Sequence, residues 1–109
     1  MSDIQIPFFE EVHKLVPLIP KGRVTTYGAI AEALGKPGAA RQVGYAMNHC
    51  PKDLPAHRVV NRKGVLTGKH HFGGENMAER LKAEGISVEN DQILHFADLF
   101  WHPLTEINP

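Results

Sequence analysis

The feature that most limits the fold of this chain is a four-residue interruption, Gly35-Lys36-Pro37-Gly38, between two short stretches of helical spacing. Glycine accepts the left-handed turn that closes a helix, and proline can neither donate to a helix nor let the residue before it stay helical. A helix over about Tyr27 to Leu34 must therefore stop there, and a second one over Ala39 to His49 starts in a new direction. In the second, Ala40, Val43, Ala46 and Met47 fall on one side. Two short helices joined this tightly read as a helix-turn-helix. Val24-Thr25-Thr26 precedes the first helix as a short extended piece, and either threonine hydroxyl can cap that helix.

The rest of the chain supplies the body. Phe8, Phe9, Val12, Leu15, Val16 and Ile19 recur at amphipathic spacing and predict a helix over Pro7 to Ile19. Val59-Val60 and Val65-Leu66 flank the turn residues Asn61-Arg62-Lys63-Gly64, which predicts a hairpin, or wing. A further helix is expected over Glu75 to Ala83, with Met77, Ala78 and Leu81 inward and Gly85 ending it. A second hairpin is expected around Asn90-Asp91, and Phe96, Leu99, Phe100 and Trp101 predict a tail packed on the body. The expected class is α+β, mainly helical, built as a winged helix-turn-helix, and 109 residues suit a single domain over 1–109.

Cysteine usage and charge narrow the chemistry. Cys50 is the one cysteine, so no internal disulfide and no C-x-x-C zinc site can form. His49, Cys50, His70 and His71 fit no standard ligand spacing, and neither metal nor cofactor is expected. No apolar run approaches a membrane span of about 18–20 residues, and the N-terminus lacks the pattern of a signal peptide, so a cytoplasmic protein with no membrane partner is expected. The formal net charge is zero, yet residues 36–71 carry seven Lys/Arg against Asp53 alone, while residues 72–109 carry seven acids against Arg80 and Lys82. A basic stretch containing the turn signals suits contact with phosphates, although an ordinary solvated surface explains the charge equally well.

Three blocks, "PKGRVTTYGAIAEALGKPGAARQVGYAMNHCP", "LPAHRVVNRKGVLTG" and "GGENMAERLKAEGI", resemble the DNA-binding domain of the O6-alkylguanine DNA alkyltransferases over Pro20 to Ile86. The resemblance implies that family's C-terminal winged helix-turn-helix domain without its N-terminal one. One departure matters: the repair enzymes carry Pro-Cys-His-Arg-Val, and this chain reads Pro55-Ala56-His57-Arg58-Val59. A methyl side chain cannot accept an alkyl group, and Cys50, six residues upstream at what looks like the family's asparagine hinge, is no obvious substitute. Loss of the acceptor with the rest retained resembles the alkyltransferase-like proteins, which bind alkylated guanine without repairing it. The expected function is thus a non-enzymatic sensor that flips O6-alkylguanine from duplex DNA through the minor groove and directs it to nucleotide excision repair proteins. A monomer without catalytic residues is expected.

The same resemblance assigns roles to residues. Arg41 matches the arginine finger that fills the slot left by a flipped base, a phosphate contact being the plain alternative. Tyr27 matches the tyrosine that crowds the 3′ phosphate, and without the resemblance it reads as a half-buried core tyrosine. Ala39, Ala40 and Gly44 are small enough for a helix in the minor groove, although Gly28 and Gly44 serve equally well as packing glycines. His57 and Glu79 match the histidine and glutamate of the enzymes' relay, left here with a structural role. Arg58 bridges either wing and domain or a phosphate. The lesion pocket is expected to be bounded by Tyr27, Ala56, Val59 and the loop after Gly68, where Lys69 and His70 either face the base or form an exposed tip. Two rivals stand beside the sensor: an alkyltransferase whose cysteine was changed to alanine, and a winged-helix transcription regulator. The hinge change at Cys50 and the altered loop over Thr67 to Gly74 favour the sensor.

Overall fold

The computed structural model describes residues 5–51, 53–68 and 76–106. Helix α1 (Gln5–Leu15) tightens into a 3-10 turn over Val16–Leu18. The apolar spacing alone predicts one helix through Ile19. Pro17 lacks the N–H that would continue the α register, and Ile19 N–H instead reaches the Val16 carbonyl at 3.1 Å. Phe8, Val12, Leu15, Val16 and Ile19 are all buried.

Strand β1 (Thr25–Thr26) leads directly into α2 (Tyr27–Ala33), and the Thr26 hydroxyl accepts the Ala29 N–H at 3.0 Å as its cap. The helix closes by a Schellman turn: Gly35, at φ 76°, donates to the Glu32 carbonyl and Lys36 to that of Ala31. After Pro37-Gly38, α3 (Ala40–Asn48) buries Val43, Ala46 and Met47, completing the helix-turn-helix. His13 Nε2 bonds the Ala46 carbonyl at 2.7 Å and clamps α1 against α3.

A 3-10 turn (Ala56–Arg58) feeds β2 (Val59–Val60), which pairs in parallel with β1. Alternation across this short strand separates two apolar cores. Val59 faces the core of α1, α2, α3 and Trp101, whereas Val60 faces one formed with Val24, Leu66, Met77, Leu81, Ile86 and Ile93. The predicted hairpin between Val59-Val60 and Val65-Leu66 is corrected here. The turn at Asn61 to Gly64 exists, held by the Asn61 side chain accepting from Lys63 and Val65, but the segment after it bridges at Val65 to Gln92, further along the chain. Leu66 N–H reaches the Asp91 carbonyl at 2.8 Å and Ile93 N–H that of Gly64 at 2.9 Å. β2 has β1 beside it, so the wing's returning segment takes its partner from further along the chain.

Helix α4 (Asn76–Ala83) ends in a second Schellman turn at Gly85. The hairpin of β3 (Val88–Glu89) and β4 (Gln92–Ile93) turns at Asn90 and Asp91, whose φ values of 52° and 61° suit a type I′ turn. Helices α5 (Phe96–Leu99) and α6 (Pro103–Glu106) complete the described chain. Trp101, 3% exposed, is buried in the first core, and its N–H reaches the Val24 carbonyl at 2.7 Å. Arg23 ties the tail down further, donating to the carbonyls of Leu99 and Phe100 and pairing with Glu106. The architecture is the mainly helical α+β winged helix-turn-helix that the sequence predicts. No helix among the described residues is long and apolar enough to cross a membrane.

Candidate nucleic-acid interface

The outward face of α3 is built by subtraction. With Val43, Ala46 and Met47 buried, Arg41, Tyr45 and Asn48 are left exposed at i, i+4 and i+7. Arg41 has no ion pair among the described residues, so its guanidinium is available to an incoming anion or base. Ala39, Ala40 and Gly44 are partly covered. A Cβ placed on Gly28 or Gly44 would meet no heavy atom within 4 Å among the described residues. Packing among the described residues therefore does not require these glycines.

Behind this face lies a cavity of about 420 Å³, lined by Tyr27, Met47, Asn48, Cys50, Ala56 and Val59, with Arg80 at its side. That volume lies within the range of about 300–1,000 Å³ of small-molecule sites. Tyr27 packs on the first core, as its core reading has it, and also lines the cavity. Tyr27, Ala56 and Val59 thus meet, whereas Lys69 and His70 lie outside the described residues. Met47, Asn48 and Arg80 escape the sequence argument, because only the docking of α3 and α4 brings them to one hollow. Cys50 lines it too, and burial, helped by the Asp53 charge, pushes its thiol up to about 11. It is a neutral thiol at physiological pH and a poor nucleophile.

Beside the cavity, the predicted partnership of His57 with Glu79 is corrected. Met77 and Leu81 face inward from α4, which turns Glu79 outward into solvent, whereas Glu84 falls one step further along the inward stripe, at i+7 from Met77. His57 Nε2 donates to Glu84 Oε2 at 2.8 Å. Arg58 adds Nε–H to Oε1 at 3.0 Å and Nη2–H to Oε2 at 2.7 Å, and the Gly22 N–H reaches Oε1 at 3.1 Å. Arg58 Nη1 donates to the Ile19 carbonyl at 2.8 Å, so Arg58 bridges elements of the domain. The inward spacing of Met77, Leu81 and Glu84 is the sequence signal that identifies this carboxylate.

Burial pushes the Glu84 carboxyl up, but the hydrogen bonds from Arg58, His57 and Gly22 outweigh it and hold the group at about 2. Burial, joined by the charges of Arg58 and Arg80, lowers His57 from its ordinary 6.5 despite the bond to Glu84, so the ring is neutral at pH 7. An ionised carboxylate only accepts, so Nε2 carries the proton. Nδ1 is then a buried acceptor with no partner among the described residues. Both groups bind protons more readily in the unfolded chain. The stability from His57 is fully present above about pH 6.5 and is lost below it. That from Glu84 is fully present above its ordinary 4.5 and is lost as pH falls toward 2, a contribution on the order of 3 kcal/mol. The urea midpoint should hold level between about pH 6.5 and 8 and decline with acidification below that window. A midpoint that stays level down to about pH 3 would contradict this account of the pair.

Among the described residues no group of three or more His, Cys, Asp or Glu is placed to hold a metal ion. Residues 7–86 match the family described as 6-O-methylguanine DNA methyltransferase, DNA binding domain. Alkyltransferase-like protein 1 of Schizosaccharomyces pombe is 36% identical over 103 residues, covering 88% of this chain and 95% of that protein. The DNA base-flipping protein of Escherichia coli is 39% identical over 99 residues, covering 87% of this chain and 74% of its own. The crystal structure of S. pombe Atl1 in complex with damaged DNA containing O6-carboxymethylguanine superposes with a TM-score of 0.76 at 36% identity, covering 90% of this chain and 97% of that one. That of Mycobacterium tuberculosis OGT in complex with DNA gives 0.63 at 37% identity, covering 77% of this chain and 50% of the other.

Proposed function

The chain belongs to the family of the 6-O-methylguanine DNA methyltransferase DNA-binding domain, and from that premise we propose that it is a non-enzymatic, alkyltransferase-like sensor of O6-alkylguanine in duplex DNA. The observation that carries the proposal is the cavity behind α3. It presents the Ala56 methyl where an acceptor thiol would be needed, and the one thiol it does contain, Cys50, is held protonated. Such a pocket can hold an alkylated base but offers nothing to take its alkyl group.

Entry of the base requires its extrusion from the stack, at a cost of a few kcal/mol. Arg41 offsets that cost by filling the vacated slot, and Tyr27, at the start of α2, stands at the cavity to receive the rotated nucleotide. The small residues Ala39, Ala40 and Gly44 let α3 approach the minor groove. His57, Arg58 and Glu84 act structurally, locking the turn that carries Ala56 to the end of α4. Having bound the lesion without repairing it, the protein, acting as a monomer, presents it to the damage-recognition proteins of nucleotide excision repair. The names of the relatives, a base-flipping protein and an alkyltransferase-like protein, support the first part of this reading.

The test is a titration of the protein with an O6-methylguanine duplex and with the same duplex unmodified, followed by the intact mass of the protein. Tighter binding to the lesion, by roughly tenfold or more, with no mass gain is expected. Equal affinity for the two duplexes would remove the sensor. A gain of one methyl group would make the protein an enzyme.

A further inference from the structure

We propose that Tyr45 is a second DNA-engaging residue of α3, its ring lying against deoxyribose on the minor-groove wall and its hydroxyl donating to a backbone phosphate of the strand from which the base is flipped. The inference rests on the function proposed above and adds a contact that the resemblance does not assign. Tyr45 is 47% exposed, one of three large apolar side chains left open to solvent among the described residues. Its hydroxyl has no hydrogen-bond partner among the described residues. The neighbouring His49 does not cover it, because His49 Nδ1 is bonded to the Tyr45 carbonyl at 3.0 Å and its ring stacks on Phe9 of α1.

Position selects the occupant. Arg41, Tyr45 and Asn48 share one stripe of α3, and Asn48 lines the cavity while Arg41, with no ion pair among the described residues, stands at the other end. At 1.5 Å per residue the stripe runs about 10 Å from Arg41 to Asn48, with Tyr45 between them. The strand whose nucleotide leaves the stack beside Arg41 and enters the cavity beside Asn48 lays its backbone along this stripe before and after flipping, against Tyr45. An aromatic face with a terminal hydroxyl matches the apolar edge of deoxyribose followed by a phosphate oxygen. The contact is to the backbone wall, so it forms on plain and damaged duplex alike. Tyrosine is uncharged, so it releases no counterion.

Tyr45→Ala, Tyr45→Phe and, as a control on the exposed Leu104, Leu104→Ala are titrated with O6-methylguanine duplex and with unmodified duplex at several salt concentrations, after thermal melts establish that each variant folds. Tyr45→Ala should weaken both complexes by about tenfold and Tyr45→Phe by about threefold, with the salt slope unchanged and Leu104→Ala binding as the parent does. Parental affinity in Tyr45→Ala overturns the proposal, and so does a loss confined to the damaged duplex, which would place the side chain at the base instead of the groove wall. If the parent binds both duplexes equally, the sensor reading fails, while an equal loss in Tyr45→Ala still upholds the contact. A parent that binds neither overturns both.

Discussion

Glu84→Ala is expected to destabilise the protein by about 3–5 kcal/mol and to lower its melting temperature by more than about ten degrees. The side chain is 9% exposed and receives hydrogen bonds from Arg58, His57 and Gly22. Its removal leaves the Arg58 guanidinium part-buried without its carboxylate, and the His57 ring with neither nitrogen bonded. A buried charge stripped of its partner loses most of its interaction while retaining its desolvation penalty, which is why the loss exceeds that of an ordinary hydrogen bond. Glu79→Ala is the internal control. Glu79 is exposed on the opposite side of α4, and its replacement should change stability by no more than about 0.5 kcal/mol. Urea denaturation of the two variants beside the parent decides the matter. Equal losses, or a stable Glu84→Ala protein, would show that the carboxylate is not the anchor described here.

The second large effect is on DNA. Arg41→Ala is expected to weaken binding to an O6-methylguanine duplex by roughly tenfold to a hundredfold, the value of one well-oriented arginine contact to bases. Binding to plain duplex should fall by only about threefold, because there the side chain is one more cation near phosphates. A fluorescent base analogue opposite the lesion should lose its flipping signal in the variant. Stability should not change, since Arg41 is exposed and has no ion pair among the described residues. If the two duplexes lose affinity equally and flipping persists, Arg41 is a phosphate contact and the finger role is lost.

Much of this interface is legible in the sequence because its signals are local. The stop at Gly35, the Thr26 cap, the inward set Val43, Ala46 and Met47 and the turn at Asn90-Asp91 each depend on residues within about one turn of one another. Once α3 has its register, the exposure of Arg41 follows. The substitution at Ala56 is likewise plain from the string around it.

Other features depend on how distant segments dock. The partners of Glu84 lie 26 and 27 residues away, at Arg58 and His57, so motif position alone pointed to the wrong carboxylate, and helical register combined with the docking of α4 identifies the right one. The partner of β2 is β1 across more than thirty residues, because hydrogen bonding between strands depends on which edges are open and not on which apolar run comes next. The space around Gly28 and Gly44 also emerges only from the tertiary structure, which shows that no packed neighbour among the described residues requires a glycine there. By itself the sequence determined the helix-turn-helix, the absence of a thiol at position 56 and the family resemblance, all carried by neighbouring residues. The tertiary structure decided the carboxylate that anchors the pocket, the cavity itself and the open stripe of Arg41, Tyr45 and Asn48, because burial and long-range hydrogen bonds exist only after the elements have packed.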